Sequence, residues 1–245
     1  MEHEHVIRRG VAEALGAGAI VFVAAGAIIA GNDRLAVAAA YGVVVAVMIS
    51  AFGHVSGGHF NPAVTAGLML TRRIDPALGI IYMICQLVGS VIAATLLRAV
   101  FDDARADAVN LGAPSLGNGV SLGEGFTMEL ILTFLVVLVF FATAVDGRGA
   151  YRVIAGFGVG SAVFVAVLVG LPVSGAALSP ARAFGPQLVG NSWSDGWIYY
   201  LACPLAGLLA ALLYDRVYLR GHRVETAGSE GSGLEEVAVE RAADE

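Results

Sequence analysis

The sequence predicts an all-α membrane protein with six transmembrane helices and two re-entrant half-helices, arranged as an inverted repeat of three spans in each half. Composition is the first observation behind this class. The 245-residue chain is 58 % hydrophobic and only 14 % charged, against roughly 45–50 % and 25 % in soluble domains. The others are six apolar windows and an internal repeat, in which Cys85 and Cys203 mark an offset of 118 residues.

The composition also excludes several classes of protein. Abundant apolar residues and few charges exclude a disordered, collagenous or nucleic-acid-binding chain. The net charge of −6 arises largely from acidic residues close to the C-terminus. Cys85 and Cys203 lie inside apolar runs and match neither a disulfide framework nor a metal-binding spacing. We therefore expect no nucleic-acid partner, no metal and no cofactor.

Six windows reach the roughly 20 apolar residues that a bilayer requires of a helix. They cover 11–30, 35–53, 76–98, 124–145, 151–171 and 196–217. We expect a membrane domain over 11–218, made of repeats at 11–100 and 122–218. A short cytoplasmic tail over 1–10 and an acidic, disordered cytoplasmic tail over 219–245 should flank this domain.

The distribution of positive charge predicts the orientation. All 14 basic residues are arginines, and most of them fall in loops on one side if the N-terminus lies inside. Because short cytoplasmic loops carry the excess of basic residues, both termini should be cytoplasmic, in a multi-pass protein of the cell membrane. Tyr199 and Tyr200 are expected at the membrane interface.

The internal repeat must be inverted. The offset of 118 places Gly89 on Gly207 and Pro62 on Pro180. Each half contains an odd number of spans, so the second copy enters the membrane from the opposite side. Inverted repeats place their functional centre near the midplane, where interrupted helices end.

Two segments carry the signals of such interrupted helices. Asn61 and Ser179 are good N-cap residues, and each is followed by a proline at the first helical position. The apolar stretch after each cap is about ten residues, which as a helix spans about 15 Å, half of a bilayer. The N-termini of the two half-helices should meet in the middle of the membrane.

The loops before these caps should line a pore. Non-helical backbone at membrane depth is tolerated where it lines a water-filled cavity or is buried in protein. Two partially positive helix ends facing one spot repel cations, so passive flow of small neutral solutes without proton leak is expected. The loop residues expected to offer carbonyl groups to the pore are Gly57, Gly58, His59, Gly175, Ala176 and Ala177.

The chain resembles the aquaporin (major intrinsic protein) family over about residues 8–218. The resemblance is carried by Asn61-Pro62-Ala63 within Gly-Gly-His-Phe-Asn-Pro-Ala-Val-Thr, by Ser179-Pro180-Ala181 followed by Arg182, and by the repeat. It implies a right-handed aquaporin-like bundle that assembles as a homotetramer in the lipid bilayer. It also implies a channel for water and small neutral solutes and no enzyme activity.

The same resemblance places the narrowest point of the pore at Tyr41, Val167, Ala176 and Arg182. Water-selective relatives tend to have a histidine at the position of Val167. The small apolar residues found here predict a wider constriction that admits glycerol, urea or a neutral metalloid hydroxide, and a strictly water-selective pore is the alternative. Ser179 departs from the usual asparagine, which predicts looser single-file ordering at the centre.

Glu13 and Glu129 would be costly if they faced lipid. The resemblance implies that each carboxylate supports the re-entrant loop of its own half. A proton relay in an ion-coupled secondary transporter is the alternative. Gln86 is expected to bond to loop backbone groups. No nucleophile with a neighbouring base accompanies these residues, so an enzyme is not expected.

Overall fold

The computed structural model describes residues 2–148 and 154–219, and over this part of the chain it confirms the predicted fold class. Six helices are long and apolar enough to span a membrane. Two half-length helices, α3 and α8, lie between them in chain order. The helices are α1 Glu2–Ile29, α2 Arg34–Ser56, α3 Pro62–Leu70, α4 Pro76–Val100, α5 Asp103–Asp107, α6 Leu122–Phe140, α7 Ala155–Ser174, α8 Pro180–Val189 and α9 Trp197–Tyr214.

The structure differs from the sequence prediction most clearly at the N-terminus and in the connection between α4 and α6. Helix α1 begins at Glu2, so the segment predicted as a short tail forms the first turns of this helix. The connection between α4 and α6 contains the short helix α5 and a 3₁₀ turn at Asn110–Gly112. The predicted start of the fifth span at 151 and nearly all of the predicted tail at 219–245 lie outside the described residues.

The helices pack in pairs that repeat between the two halves. Helix α1 packs on α4, and α6 packs on α9 in the same way. Helices α2 and α7, which correspond in the repeat, pack on each other. Each half-helix packs on a helix of the other half of the repeat: α3 packs on α9, and α8 packs on α4. This exchange brings the N-termini of α3 and α8 together.

Small residues allow this close packing. A Cβ at Gly42 would lie 2.6 Å from the Gly160 carbonyl oxygen, and one at Gly160 would lie 2.5 Å from the Gly42 carbonyl oxygen. The two glycines are equivalent positions of the repeat and face each other across α2 and α7. Such small-residue contacts are typical of helix association in membranes.

Gly89→Ala is expected to destabilise the bundle, because a Cβ at Gly89 would lie 2.0 Å from the Ala14 carbonyl oxygen. Overpacking of this kind costs about 1–3 kcal/mol, so the Tm of the purified protein should fall by about 5 °C. Gly123→Ala is the matched control, since a Cβ there meets nothing within 4 Å. Equal Tm values for the two variants would contradict the packing described here.

Ion pairs hold the ends of several helices at the side of the membrane where α3 ends. Arg73, just after α3, donates from Nη2 to Asp215 Oδ1 at 2.8 Å. Arg148 donates from Nε to Asp146 Oδ1 at 2.8 Å, and Tyr214 donates to the other oxygen of Asp146 at 3.0 Å. The Arg148 guanidinium, more than the other neighbours, holds the pKa of Asp146 well below its usual range.

Candidate functional site

The two half-helices begin at capped N-termini, which confirms the predicted caps. Asn61 Oδ1 accepts a hydrogen bond from the Ala63 amide at 2.8 Å. Ser179 Oγ accepts a longer one, of 3.5 Å, from the Arg182 amide. Both caps have extended backbone and are followed by proline. The orphan N–H groups of both helix ends therefore point towards the same region.

A hydrogen bond joins the two half-helices at the centre. Asn61 Nδ2 donates to the Leu178 carbonyl oxygen at 2.8 Å. The repeat relates this pair to Ser179 and the Phe60 carbonyl. Among the described residues, no donor reaches the Phe60 carbonyl oxygen, since the serine side chain is too short to repeat the contact. Of the two equivalent hydrogen bonds across the centre, only the one from Asn61 to the Leu178 carbonyl is therefore formed.

The loops before the caps share an unusual backbone. In each loop, three residues have left-handed φ values, at equivalent positions of the repeat. They are Gly57 (95°), Gly58 (67°) and Phe60 (48°) in the first loop, and Gly175 (77°), Ala176 (45°) and Leu178 (56°) in the second. A residue other than glycine costs about 1–3 kcal/mol in this region and is retained where the surroundings impose it.

Glu13 on α1 is the main support of the first loop. It is fully buried and accepts hydrogen bonds from the amides of His59 at 3.1 Å and Phe60 at 2.7 Å. Ser56 Oγ donates to it at 2.6 Å and Gln86 Nε2 at 2.7 Å. The described contacts of Gln86 are to the side chains of Glu13 and Thr65, so the expectation that it bonds to loop backbone groups is wrong.

Glu129 on α6 makes the equivalent contacts in the second half. The amides of Ala177 and Leu178 donate to it, each at 2.9 Å. Ser174 Oγ donates at 2.7 Å, and Cys203 Sγ approaches at 3.5 Å. Both carboxylates lie inside the bundle, and each of these neighbouring groups donates a hydrogen bond to them. This arrangement orients the loops.

Two buried tyrosines complete the support. Tyr82 donates to the Ser56 carbonyl at 2.9 Å, and Tyr199 donates to the Ser174 carbonyl at 2.7 Å. The expectation that Tyr199 lies at the membrane interface is therefore wrong, since the residue is 0 % exposed. Tyr200 is half-buried and donates to Gln187 at 2.6 Å.

A further anchor holds the second half-helix from α4. Ser90 Oγ donates to the Ala181 carbonyl and accepts from the Gly185 amide at 2.9 Å. A Cβ at Gly185 would lie 2.3 Å from the Ser90 carbonyl oxygen, so α8 and α4 are in close contact. The corresponding position in the other half is Leu208, which cannot make these bonds. The repeat is therefore not symmetrical in its anchors.

A small cavity of about 40 Å³ borders the place where the half-helices meet. Its polar lining is provided by Tyr41, His59, Asn61, Ser179 and Arg182, and most of the remaining lining is apolar. A cavity with a mostly apolar lining and a few polar groups suits the passage of small neutral molecules better than the binding of a charged ligand.

The four residues expected at the constriction fall into two pairs. Tyr41 and Arg182 both border the cavity, and the Tyr41 hydroxyl donates to the Ala177 carbonyl at 2.8 Å. Arg182 is 2 % exposed, and its Nε and Nη1 have no partner among the described residues. Val167 and Ala176 are each 1 % exposed and do not border this cavity. Their place at a constriction stays a prediction.

The fold and the site define a multi-pass membrane protein with an inverted repeat and two half-helices that meet inside the bundle. The family model described as Major intrinsic protein matches residues 1–214, and the chain belongs to this family. It is a channel of the aquaporin type and not an enzyme.

Proteins of similar sequence or structure support the same family. The chain is 46 % identical to aquaporin TIP4-4 of Zea mays, over 75 % of this chain and 71 % of the relative. It is 38 % identical to a probable aquaporin TIP3-2 of Arabidopsis thaliana, over 87 % and 84 %. The crystal structure of the aquaglyceroporin from Plasmodium falciparum superposes with a TM-score of 0.78 at 21 % identity, covering 87 % of this chain and 97 % of that one. This structure supports the fold alone.

Sequence reasoning missed several residues of the site. The expected pore residues Gly57, Gly58 and Gly175 are in the loops as predicted. However, Ser56, Ser174, Tyr82 and the partnership of Thr65 with His59 were not singled out. The offset of 118 was the available signal for part of this set, because it pairs Ser56 with Ser174.

Proposed function

We propose that the protein is a passive channel for water and small uncharged solutes that excludes protons and other ions. The observation that carries this proposal is the 2.8 Å bond from Asn61 to the Leu178 carbonyl, beside a cavity that both half-helix caps line. Two helix N-termini that meet at one spot present partial positive charge there. Neutral hydroxyl or amide groups can pass this spot, whereas cations are repelled.

Exclusion of protons follows from the same geometry. Asn61 Nδ2 donates one hydrogen to the Leu178 carbonyl and has a second one for a water molecule at the caps. This water molecule accepts with its oxygen, so its own hydrogens turn away from the centre. A chain of water molecules oriented in this way cannot relay a proton through the centre. Arg182 adds a permanent positive charge beside the cavity, which raises the barrier to cations further.

Selectivity for solutes broader than water is the finer part of the proposal. It rests on the family resemblance, which places the small apolar side chains of Val167 and Ala176 at one constriction with the polar Tyr41 and Arg182. Such a constriction suits molecules with one polar and one apolar edge, such as glycerol, urea or a neutral metalloid hydroxide. A strictly water-selective pore is the alternative that a flux measurement distinguishes.

Stopped-flow light scattering on proteoliposomes tests the proposal. Water, glycerol and urea should each equilibrate faster than in protein-free liposomes, at a rate that does not depend on a proton or sodium gradient. Flux of water alone would favour the water-selective alternative. Dependence on an ion gradient would favour a secondary transporter and overturn the channel.

We also propose that the channel lies in the cell membrane as a homotetramer with both termini in the cytoplasm. The excess of arginines in the loops on the side of the termini supports this orientation. Many apolar side chains are exposed on the outer surface of the bundle, and these can pack against other subunits as well as against lipid. Native mass spectrometry should detect four copies, and protease treatment of intact cells should leave both termini uncut.

Ser179→Asn is expected to reduce glycerol permeability by about threefold while water permeability changes less. The longer amide side chain can reach the Phe60 carbonyl and so restore the second bond across the centre, and one such bond contributes about 1 kcal/mol. Ser179→Thr, which keeps a hydroxyl and adds a methyl group, is the control for volume. An increase in glycerol flux in Ser179→Asn would contradict this account of the centre.

A further inference from the structure

We propose that Thr65 and Gln86 are positioning residues that hold the neutral His59 ring with its proton on Nδ1. Nε2 is then a hydrogen-bond acceptor for molecules in the passage. The inference rests on the proposed channel function for its consequence, but not for the state of the ring. It assigns a task to the side chains of His59 and Thr65, which the support of the loops does not use, and a second task to Gln86, which also donates to Glu13.

The first step is the position of the ring. His59 borders the cavity, and its ring packs edge-on against Tyr82 and Phe140, at centroid distances of 5.1 and 6.2 Å. Nδ1 lies 3.1 Å from Thr65 Oγ1. No described protein group bonds to Nε2, so Nε2 is the nitrogen available to a passing molecule.

The second step is the hydrogen-bond count at Thr65. A hydroxyl group has one proton and two lone pairs. Thr65 Oγ1 lies 3.1 Å from the Asn61 carbonyl oxygen, the bond that a threonine in a helix makes to the residue four positions earlier. If the hydroxyl proton is donated to the Asn61 carbonyl, the two other groups that contact Thr65 Oγ1 must donate hydrogen bonds to it.

Gln86 supplies one of these donors. Its Nε2 lies 2.7 Å from Glu13 Oε2 and 3.1 Å from Thr65 Oγ1. A carboxylate only accepts hydrogen bonds, so the amide nitrogen of Gln86 must face Glu13 and its second hydrogen points to Thr65. The last lone pair of Thr65 Oγ1 is then filled by His59 Nδ1–H. The buried Glu13 thus determines the proton position of a ring at the cavity.

The arrangement exists in one half of the repeat only. The positions equivalent to His59, Thr65 and Gln86 are Ala177, Ala183 and Pro204, none of which has a side chain that can form these bonds. Arg182, in turn, has Val64 as its equivalent. The passage therefore has a permanent donor, Arg182, in the half of α8 and an acceptor, His59 Nε2, in the half of α3.

An acceptor at this place agrees with the field of the half-helices. Their N-termini attract the oxygen of a passing hydroxyl group or water molecule, so its hydrogens point away from the centre. On the side of α3 those hydrogens meet His59 Nε2. A proton on Nε2 would instead oppose the orientation that the helix ends impose.

Nitrogen-15 NMR of the full-length protein in lipid, at about pH 8.5 where a free imidazole is neutral, tests the inference. The His59 signals are assigned by their loss in His59→Gln. The wild type should show a protonated Nδ1 and an unprotonated Nε2. Thr65→Val should gain the Nε2–H form, and Thr65→Ser should retain the wild-type spectrum.

Water permeability is measured on the same proteins. We expect a decrease of about threefold in Thr65→Val, with Thr65→Ser close to the wild type. Thr95→Val is the matched control, because it also removes a hydroxyl bonded to the carbonyl four positions earlier, but on an exposed face. It should change neither the spectrum nor the flux.

A protonated Nε2 in the wild type overturns the inference, and so does a Thr65→Val spectrum identical to that of the wild type. The second result would mean that Thr65 has a purely structural role. Either result leaves the proposed channel function intact if the wild type conducts. Conversely, a wild type that does not conduct but shows Nδ1–H would contradict the proposed function and leave the state of His59 as inferred.

Discussion

Glu129→Leu is expected to lower the Tm of the purified channel by about 10 °C or more and to abolish water flux in proteoliposomes. The leucine would leave the Ala177 and Leu178 amides buried without an acceptor, and the Ser174 hydroxyl with only a long contact of 3.5 Å to the Gly170 carbonyl. Each such group costs about 1–3 kcal/mol, and a domain of this size loses about 2–4 °C of Tm for each kcal/mol. Differential scanning fluorimetry and stopped-flow measurement report the two effects.

Glu124→Gln is the matched control for this substitution. Glu124 is another carboxylate of α6, but it is exposed and forms a capping box with Ser121. Glutamine can serve in a capping box as well, so Tm and flux should stay near those of the wild type. If Glu129→Leu conducts water as the wild type does, the carboxylate does not hold the second loop.

Val167→His is expected to reduce glycerol permeability by about tenfold or more while water still passes. Imidazole is larger than the valine side chain and adds a hydrogen-bond donor. It would narrow the constriction and remove the apolar surface that the carbon atoms of glycerol would contact. An added barrier of about 1.4 kcal/mol is sufficient for a tenfold decrease. Stopped-flow light scattering with glycerol and with an impermeant osmolyte separates the two permeabilities.

Val167→Ile, which adds one methyl group and no polar atom, is the control for size. Its glycerol permeability should lie between those of the wild type and Val167→His. Unchanged glycerol flux in Val167→His would place the constriction elsewhere. Such a result would be consistent with the absence of Val167 from the lining of the cavity at Tyr41 and Arg182.

Much of the fold could be predicted from local signals in the sequence. The half-helices at Pro62–Leu70 and Pro180–Val189 begin after the predicted caps, because an N-cap followed by proline is a strong local signal. The spans follow from the length of apolar runs. The inverted order of the halves follows from the repeat and the odd number of spans.

The rest depended on tertiary contacts that no local pattern contains. The left-handed backbone of Ala176 and Leu178 is imposed by the bonds of the second loop to Glu129, although neither residue favours it. Tyr199 was expected at the interface because tyrosine is enriched there. Its position is instead determined by the Ser174 carbonyl, a partner 25 residues away in the chain.

The most direct test of the central claim is the accessibility of Ser179, at the point where the half-helices meet. In Ser179→Cys, a small water-soluble thiol reagent should react and stop osmotic water flux, whereas the wild type with its native Cys85 and Cys203 should keep its flux under the same treatment. Mass spectrometry of the treated protein establishes which thiols have reacted. If the introduced thiol does not react, or if water flows unchanged after it has reacted, the passage does not run between the two half-helices.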